Sequence, residues 1–177
     1  MMRSLMLDKW RRWSCAAALA GLALAAQAGP VDELSLRAAV IYKLMLYTEW
    51  PAEALQAGSM GLCVSTGSPL AGALRMLQGQ PIGTLPLDVR EAASDASLRR
   101  CQALYVDPAS RDSATLARLS ADLPMLVISD DSATTEPVVR LFVRHERIGF
   151  DIDLGQARRR GLRLSSRLLR LAGAVHE

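Results

Sequence analysis

The chain has 177 residues, half of them hydrophobic, with 21 Lys and Arg against 18 Asp and Glu and a formal net charge of +3. That length suits one ordinary domain with a sizeable core, and no repeat, linker or low-complexity stretch divides it. The positive excess is concentrated at the N-terminus, so overall charge makes no case for nucleic-acid binding.

The first 28 residues read as a secretory signal peptide. Arg3, Lys9, Arg11 and Arg12 form a positive start, CAAALAGLALAA is a short apolar run, and Ala26-Gln27-Ala28 supplies a small-residue cleavage site. At about 12 residues the run is too short for a spanning anchor. The flanks of Arg11-Arg12 fit general secretion better than a twin-arginine route, and Cys15 lies too early for a lipoprotein cysteine. Removing this segment leaves 17 basic and 17 acidic residues, so the expected mature domain, residues 29–177, is formally neutral. The domain is therefore expected to be exported to an oxidising compartment.

Export also simplifies the cysteines, because only Cys63 and Cys101 remain. An isolated pair in an oxidising compartment reads as a disulfide. Closing its 38-residue loop would stabilise the fold by roughly 4 kcal/mol in the chain-entropy model. A structural staple is one reading; a bond whose reduction alters activity is the other, and it would need exposure or strain.

Asp32 is an N-cap candidate for a helix that meets no breaker before Trp50-Pro51. Leu34, Ala38, Ile41 and Met45 make one apolar stripe; Leu36, Val40 and Leu44 make a second. SMGLCVST then reads as a strand, and Gly67-Ser68-Pro69 opens a helix over residues 70–78. LPLDVRE alternates as a strand, ALYVD is a short buried strand, Ser110–Leu119 is helical, and PMLVISDD is another apolar strand. VVRLFVRHERIGFDID predicts a hairpin turning at His145-Glu146, and the rest of the chain reads as helix. The pattern predicts an α/β fold: a single domain whose central mixed, mainly parallel sheet is flanked by helices, with a C-terminal hairpin and a terminal helix.

Acids fall at several strand ends: Asp107, Asp130 with Asp131, and Asp151 with Asp153. A carboxylate-lined cation or sugar site at the carboxyl edge is one reading, and turn chemistry is the other. The catalytic inventory is thin. There is no H-E-x-x-H, no G-x-S-x-G and no spare cysteine beside a histidine, so neither an enzyme nor a resident metal or cofactor is expected.

Nine arginines between Arg140 and Arg170 face only Glu146, Asp151 and Asp153. On a continuous helix, Leu164, Leu168, Leu171 and Val175 would form a buried stripe. Arg160, Arg163, Arg167 and Arg170 would then cluster opposite, either solvated or meeting an acidic partner or headgroups.

AAVIYKLMLYTEWP together with RIGFDIDLGQARRRGLRLSSRLLRLAGAV resembles the YfiR family of exported bacterial proteins. The resemblance rests on a helix ending in Trp50-Pro51, then on I-x-F-x-I-[ND]-L and A-x-x-x-G-L-x-[IL]-S-S-x-L-L-x-L-A. Ile148, Phe150, Ile152, Asp153, Leu154, Gly161, Leu162, Ser165, Ser166, Leu168, Leu169, Leu171 and Ala172 match. Asp153 stands where Asn is commoner, and these motif residues are expected to serve the fold. The resemblance implies a periplasmic repressor that binds the sensor region of an inner-membrane diguanylate cyclase and holds down cyclic di-GMP synthesis. It further implies sequestration by an outer-membrane lipoprotein and sensitivity to cysteine redox state, although the second cysteine pair of some members is missing here. A homodimer is a further candidate assembly. The alternative is a periplasmic small-molecule-binding protein serving another membrane signalling protein.

Overall fold

A computed structural model describes residues 32–55, 58–92, 94–130 and 136–177. The expected signal peptide and Asp131 lie outside the described residues. Residues 32–177 form one compact unit.

In chain order the elements are α1 (Glu33–Leu46), β1 (Thr48–Glu49), β2 (Met60–Ser65), α2 (Ala71–Arg75), β3 (Pro81–Ile82), β4 (Leu85–Ala92), α3 (Asp95–Leu98) and β5 (Ala103–Val106). They continue with α4 (Ser113–Leu119), β6 (Leu126–Asp130), β7 (Val139–Arg144), β8 (Arg147–Asp153), α5 (Leu154–Arg159), β9 (Arg163–Leu164), α6 (Ser166–Leu169) and β10 (Val175–His176). Among the described residues the main sheet runs β10-β8-β7-β6-β5-β2-β4-β3. From β4 through β2, β5 and β6 to β7 every pairing is parallel, whereas β7 with β8 and β3 with β4 are antiparallel. The mainly parallel α/β sheet expected from the sequence is therefore present.

The sheet is covered on both faces, which explains why β2 and β5 are buried at every residue and read as unbroken apolar runs. Ala38, Ile41, Leu44 and Met45 of α1 pack on one face with Leu62, Val64, Tyr105 and Ile128. Leu98 and Leu116, from α3 and α4, pack on the other with Cys63, Leu104, Val106 and Val127. Ala38, Ile41 and Met45 of the first stripe expected on α1 are buried with Leu44 of the second, whereas Leu34 and Val40 are half-buried and Leu36 is exposed. The helix stops at Tyr47 rather than at Trp50, because Thr48 and Glu49 leave it to pair with Leu164 and Arg163.

The hairpin forms as expected, with His145 and Glu146 both at positive φ, 51° and 59°. Those values define a two-residue turn whose twist matches the strands. The segment after it differs from the single terminal helix expected. It breaks into α5, β9, α6 and β10, and the leucine stripe dissolves: Leu168 is buried while Leu171 is 64% exposed. Gly161, at φ +68°, supplies the left-handed residue that ends α5. Ser165 then restarts the helix, its hydroxyl accepting from the Leu168 N–H at 3.2 Å.

Candidate functional site

The two motif segments meet at the amino edge of the sheet. The Trp50 indole donates to the Gln102 carbonyl at 2.8 Å, and the Gln102 side chain accepts from the Gly61 N–H and donates to the Ala54 carbonyl, both at 2.6 Å. This network ties the loop after α1 to the starts of β2 and β5. Pro51 lies against Gly161, 3.7 Å from where a side chain there would begin, and the Ser165 N–H donates to the Tyr47 carbonyl at 3.0 Å. Asp153 caps α5 by accepting from the Gln156 N–H at 2.7 Å, a task that Asn performs equally well. Leu168 is buried beneath this joint, Phe150 and Ile148 are half-buried along β8, and Ser166 is exposed at the start of α6.

The disulfide joins Cys63 on β2 to Cys101 before β5, with Cα atoms 5.8 Å apart. It is buried, Cys63 at 0% and Cys101 at 6% exposure. Cys101 Sγ lies 3.2 Å from the Ser97 carbonyl, so α3 covers the bond.

The arginine cluster divides. Arg160 is 8% exposed and donates through Nη1 to the Ser120 carbonyl and, at 3.3 Å, to the Leu123 carbonyl. Burial, with Arg159 adding to it and Asp122 opposing, lowers its pKa. Arg160 therefore pins the end of α5 to the α4–β6 loop, and it does not belong to an outward arginine face. The reason is the left-handed Gly161, which turns the chain immediately after it. Arg163, Arg167 and Arg170 remain exposed. Arg163 lies 3.7 Å from Glu49, Arg167 sits over the Tyr47 ring at 5.4 Å, and exposed Leu171 follows Arg170. These three arginines, Tyr47 and Leu171 make a cationic, partly apolar surface carried on the β1–β9 ribbon and α6.

The strand-end acids have local partners. Asp107 accepts from the Ala109 N–H at 2.9 Å and from the Ser68 hydroxyl at 3.0 Å, which is turn chemistry. Asp130 pairs with Arg37 of α1 at 2.6 Å and accepts from the Tyr105 hydroxyl at 3.0 Å. Burial first, then Asp130, raises the Tyr105 phenol far above its usual range. Arg37 and Tyr105 carried no functional signal in the sequence, because the residue that joins them is 93 and 25 positions away. Among the described residues no group of three or more His, Cys, Asp or Glu is placed to hold a metal.

Two clefts remain. One, of about 340 Å³, is lined by Thr66, Gly67, Asp107, Ser110, Arg111 and Asp112. It lies at the carboxyl ends of β2 and β5, where the strand order reverses direction, the usual ligand position in such sheets. The other, of about 460 Å³, lies beside β7 and β8 and includes Glu136, Arg140, Asp151, Arg159 and His176.

A family model described as YfiR/HmsC-like matches residues 34–173. Among solved structures, a conserved domain protein from Vibrio cholerae O1 biovar El Tor is similar in fold, with a TM-score of 0.51 and 10% identity. The alignment covers 81% of this chain but 60% of that one, so the likeness concerns the fold alone. No protein of curated function matches in sequence.

Proposed function

The chain belongs to the YfiR/HmsC-like family, and from that premise we propose that it is a periplasmic regulator, exported by its N-terminal segment. It binds the periplasmic sensor region of an inner-membrane diguanylate cyclase and represses cyclic di-GMP synthesis. The family match carries this reading; the surface of exposed Arg163, Arg167, Arg170 and Leu171 around half-buried Tyr47 supports a role in protein binding without chemistry. Arginine suits such a surface because its planar fork grips carboxylates in two places. In this reading an outer-membrane lipoprotein competes for the same repressor.

The repressor acts by holding one sensor state. Moving a two-state sensor from 1:99 to 99:1 takes about 5.5 kcal/mol of differential affinity. Close interfacial charge pairs couple by roughly 1.5 kcal/mol or more, so three arginines with one apolar anchor suffice. The disulfide serves this role as a staple. Its sulfurs are covered by α3, so reductant reaches them only through local opening, and redox control would operate through stability.

The test is titration of the sensor domain with the wild-type chain and with an Arg163→Ala/Arg167→Ala/Arg170→Ala variant. The variant should keep its melting temperature and bind at least tenfold more weakly. Equal binding would remove this surface from the interface. A second reading, small-molecule binding, is favoured by the cleft at the carboxyl ends of β2 and β5. Specific thermal stabilisation by a metabolite, abolished by Asp112→Ala, would support it.

A further inference from the structure

The β7–β8 hairpin outruns the sheet. Asp130, the last residue of β6, pairs with Leu141, so Phe142, Val143 and Arg144 extend past it with Arg147, Ile148 and Gly149 opposite. The two faces of this ribbon differ. Leu141 opposite Phe150 continues into Val143 opposite Ile148, an apolar row that starts in the core and ends 39% exposed at Val143. On the other face Phe142 covers Gly149, the Arg144 guanidinium stacks on the Phe142 ring at 4.3 Å, and Arg144 stands directly across from Arg147.

Like charges directly opposite on one sheet face repel. Neither arginine is in an ion pair among the described residues. The turn joining them places His145 and Glu146, not Asn-Gly, at positive φ. Local rules are thus broken several times over within a few residues, and such places tend to be functional.

Among the described residues the outer side of β8 has no backbone hydrogen-bond partner at Ile148. β10 pairs with β8 at Ile152 and Asp153, and the Phe150 carbonyl accepts from the Gly173 N–H at 2.8 Å. Strand alternation turns the Ile148 N–H and C=O to the same outer side, beyond the reach of β10.

We propose that the ribbon tip is a docking edge for an extended, carboxylate-bearing segment of a protein partner. The segment adds as a strand beside β8 at Ile148, with alternate residues apolar against the Val143–Ile148 row and acidic against Arg144 and Arg147. This arrangement fits strand addition, in which backbone bonds hold the segment and alternate side chains select it. A protein segment fits better than an anionic bilayer, because Glu146 between the two arginines leaves the tip with a formal net charge of only +1. The ribbon is carried by β7 and β8, whereas Arg163 and Arg167 are carried by β9 and α6, and its chemistry does not depend on the identity of the cyclase.

The test uses the mature chain, labelled for NMR, and the peptide acetyl-Val-Glu-Val-Glu-Val-amide as probe. Saturable shifts at the amides of residues 143–149 are expected, at least tenfold weaker for the Val-Lys-Val-Lys-Val counterpart and for an Arg144→Thr/Arg147→Thr variant. That variant should fold, because a Thr–Thr cross-strand pair is favourable. Equal binding of both peptides, or no shift at millimolar peptide, would overturn the proposal. Arginine-dependent sedimentation with vesicles of 30% phosphatidylglycerol, without a peptide response, would overturn it in favour of a membrane contact.

Discussion

Replacing Arg160 by alanine separates a structural arginine from a recognition arginine. The change removes the Arg160 bonds to the Ser120 and Leu123 carbonyls, which keep the Leu123 and Met125 N–H groups as their donors. A hydrogen bond to a charged group contributes about 1.5–3 kcal/mol, and two are lost. Release of a charged group from a buried position offsets part of this, all the more because Nε has no partner. The net expectation is a loss of about 2–4 kcal/mol, or roughly 5–12 °C in melting temperature for a domain of this size. Urea unfolding with the disulfide intact measures it, and the slope against urea should not change. Arg163→Ala, at an exposed site, should stay within about 0.5 kcal/mol of wild type. The reasoning is refuted if Arg160→Ala keeps wild-type stability while losing partner binding, since the residue would then act outward.

Two further substitutions test the joints that hold the surfaces in place. Cys63→Ala/Cys101→Ala should lower stability by up to about 4 kcal/mol, because the bond closes a 38-residue loop; unfolding curves indistinguishable from wild type would show that the staple contributes nothing. Asp153→Ala should cost about 1 kcal/mol through loss of the α5 cap, whereas Asp153→Asn should be nearly neutral. Equal losses for both would mean that the carboxylate charge, rather than its capping oxygen, is what matters.

The sequence makes the sheet legible because burial on both faces leaves a plain signature. SMGLCVST, ALYVD and PMLVISDD could hardly be anything but interior strands, and a Cys pair in a chain expected to be exported points to a bond. The terminal segment was harder, because Leu164, Leu168, Leu171 and Val175 satisfy helical spacing without being used that way. The local signals against one helix were present: Gly161 as a left-handed stop, and Ser165 as a cap for a new start. What no local pattern could supply is the pairing of Arg163 and Leu164 with Glu49 and Thr48, a contact across more than 100 residues. The burial of Arg160 is similar, since its acceptors are backbone carbonyls 37 and 40 positions away. The arginine surface was therefore half legible: its outward members could be named, but the buried one could not be set apart from them.

The central claim, repression of a membrane diguanylate cyclase, is tested most directly by cellular cyclic di-GMP after deletion of the gene for this chain. Cyclic di-GMP should rise several-fold, return to the parental level on complementation with the wild-type chain, and stay high with the Arg163→Ala/Arg167→Ala/Arg170→Ala variant expressed to equal abundance. An unchanged level on deletion, in cells that express the cyclase, would contradict the account.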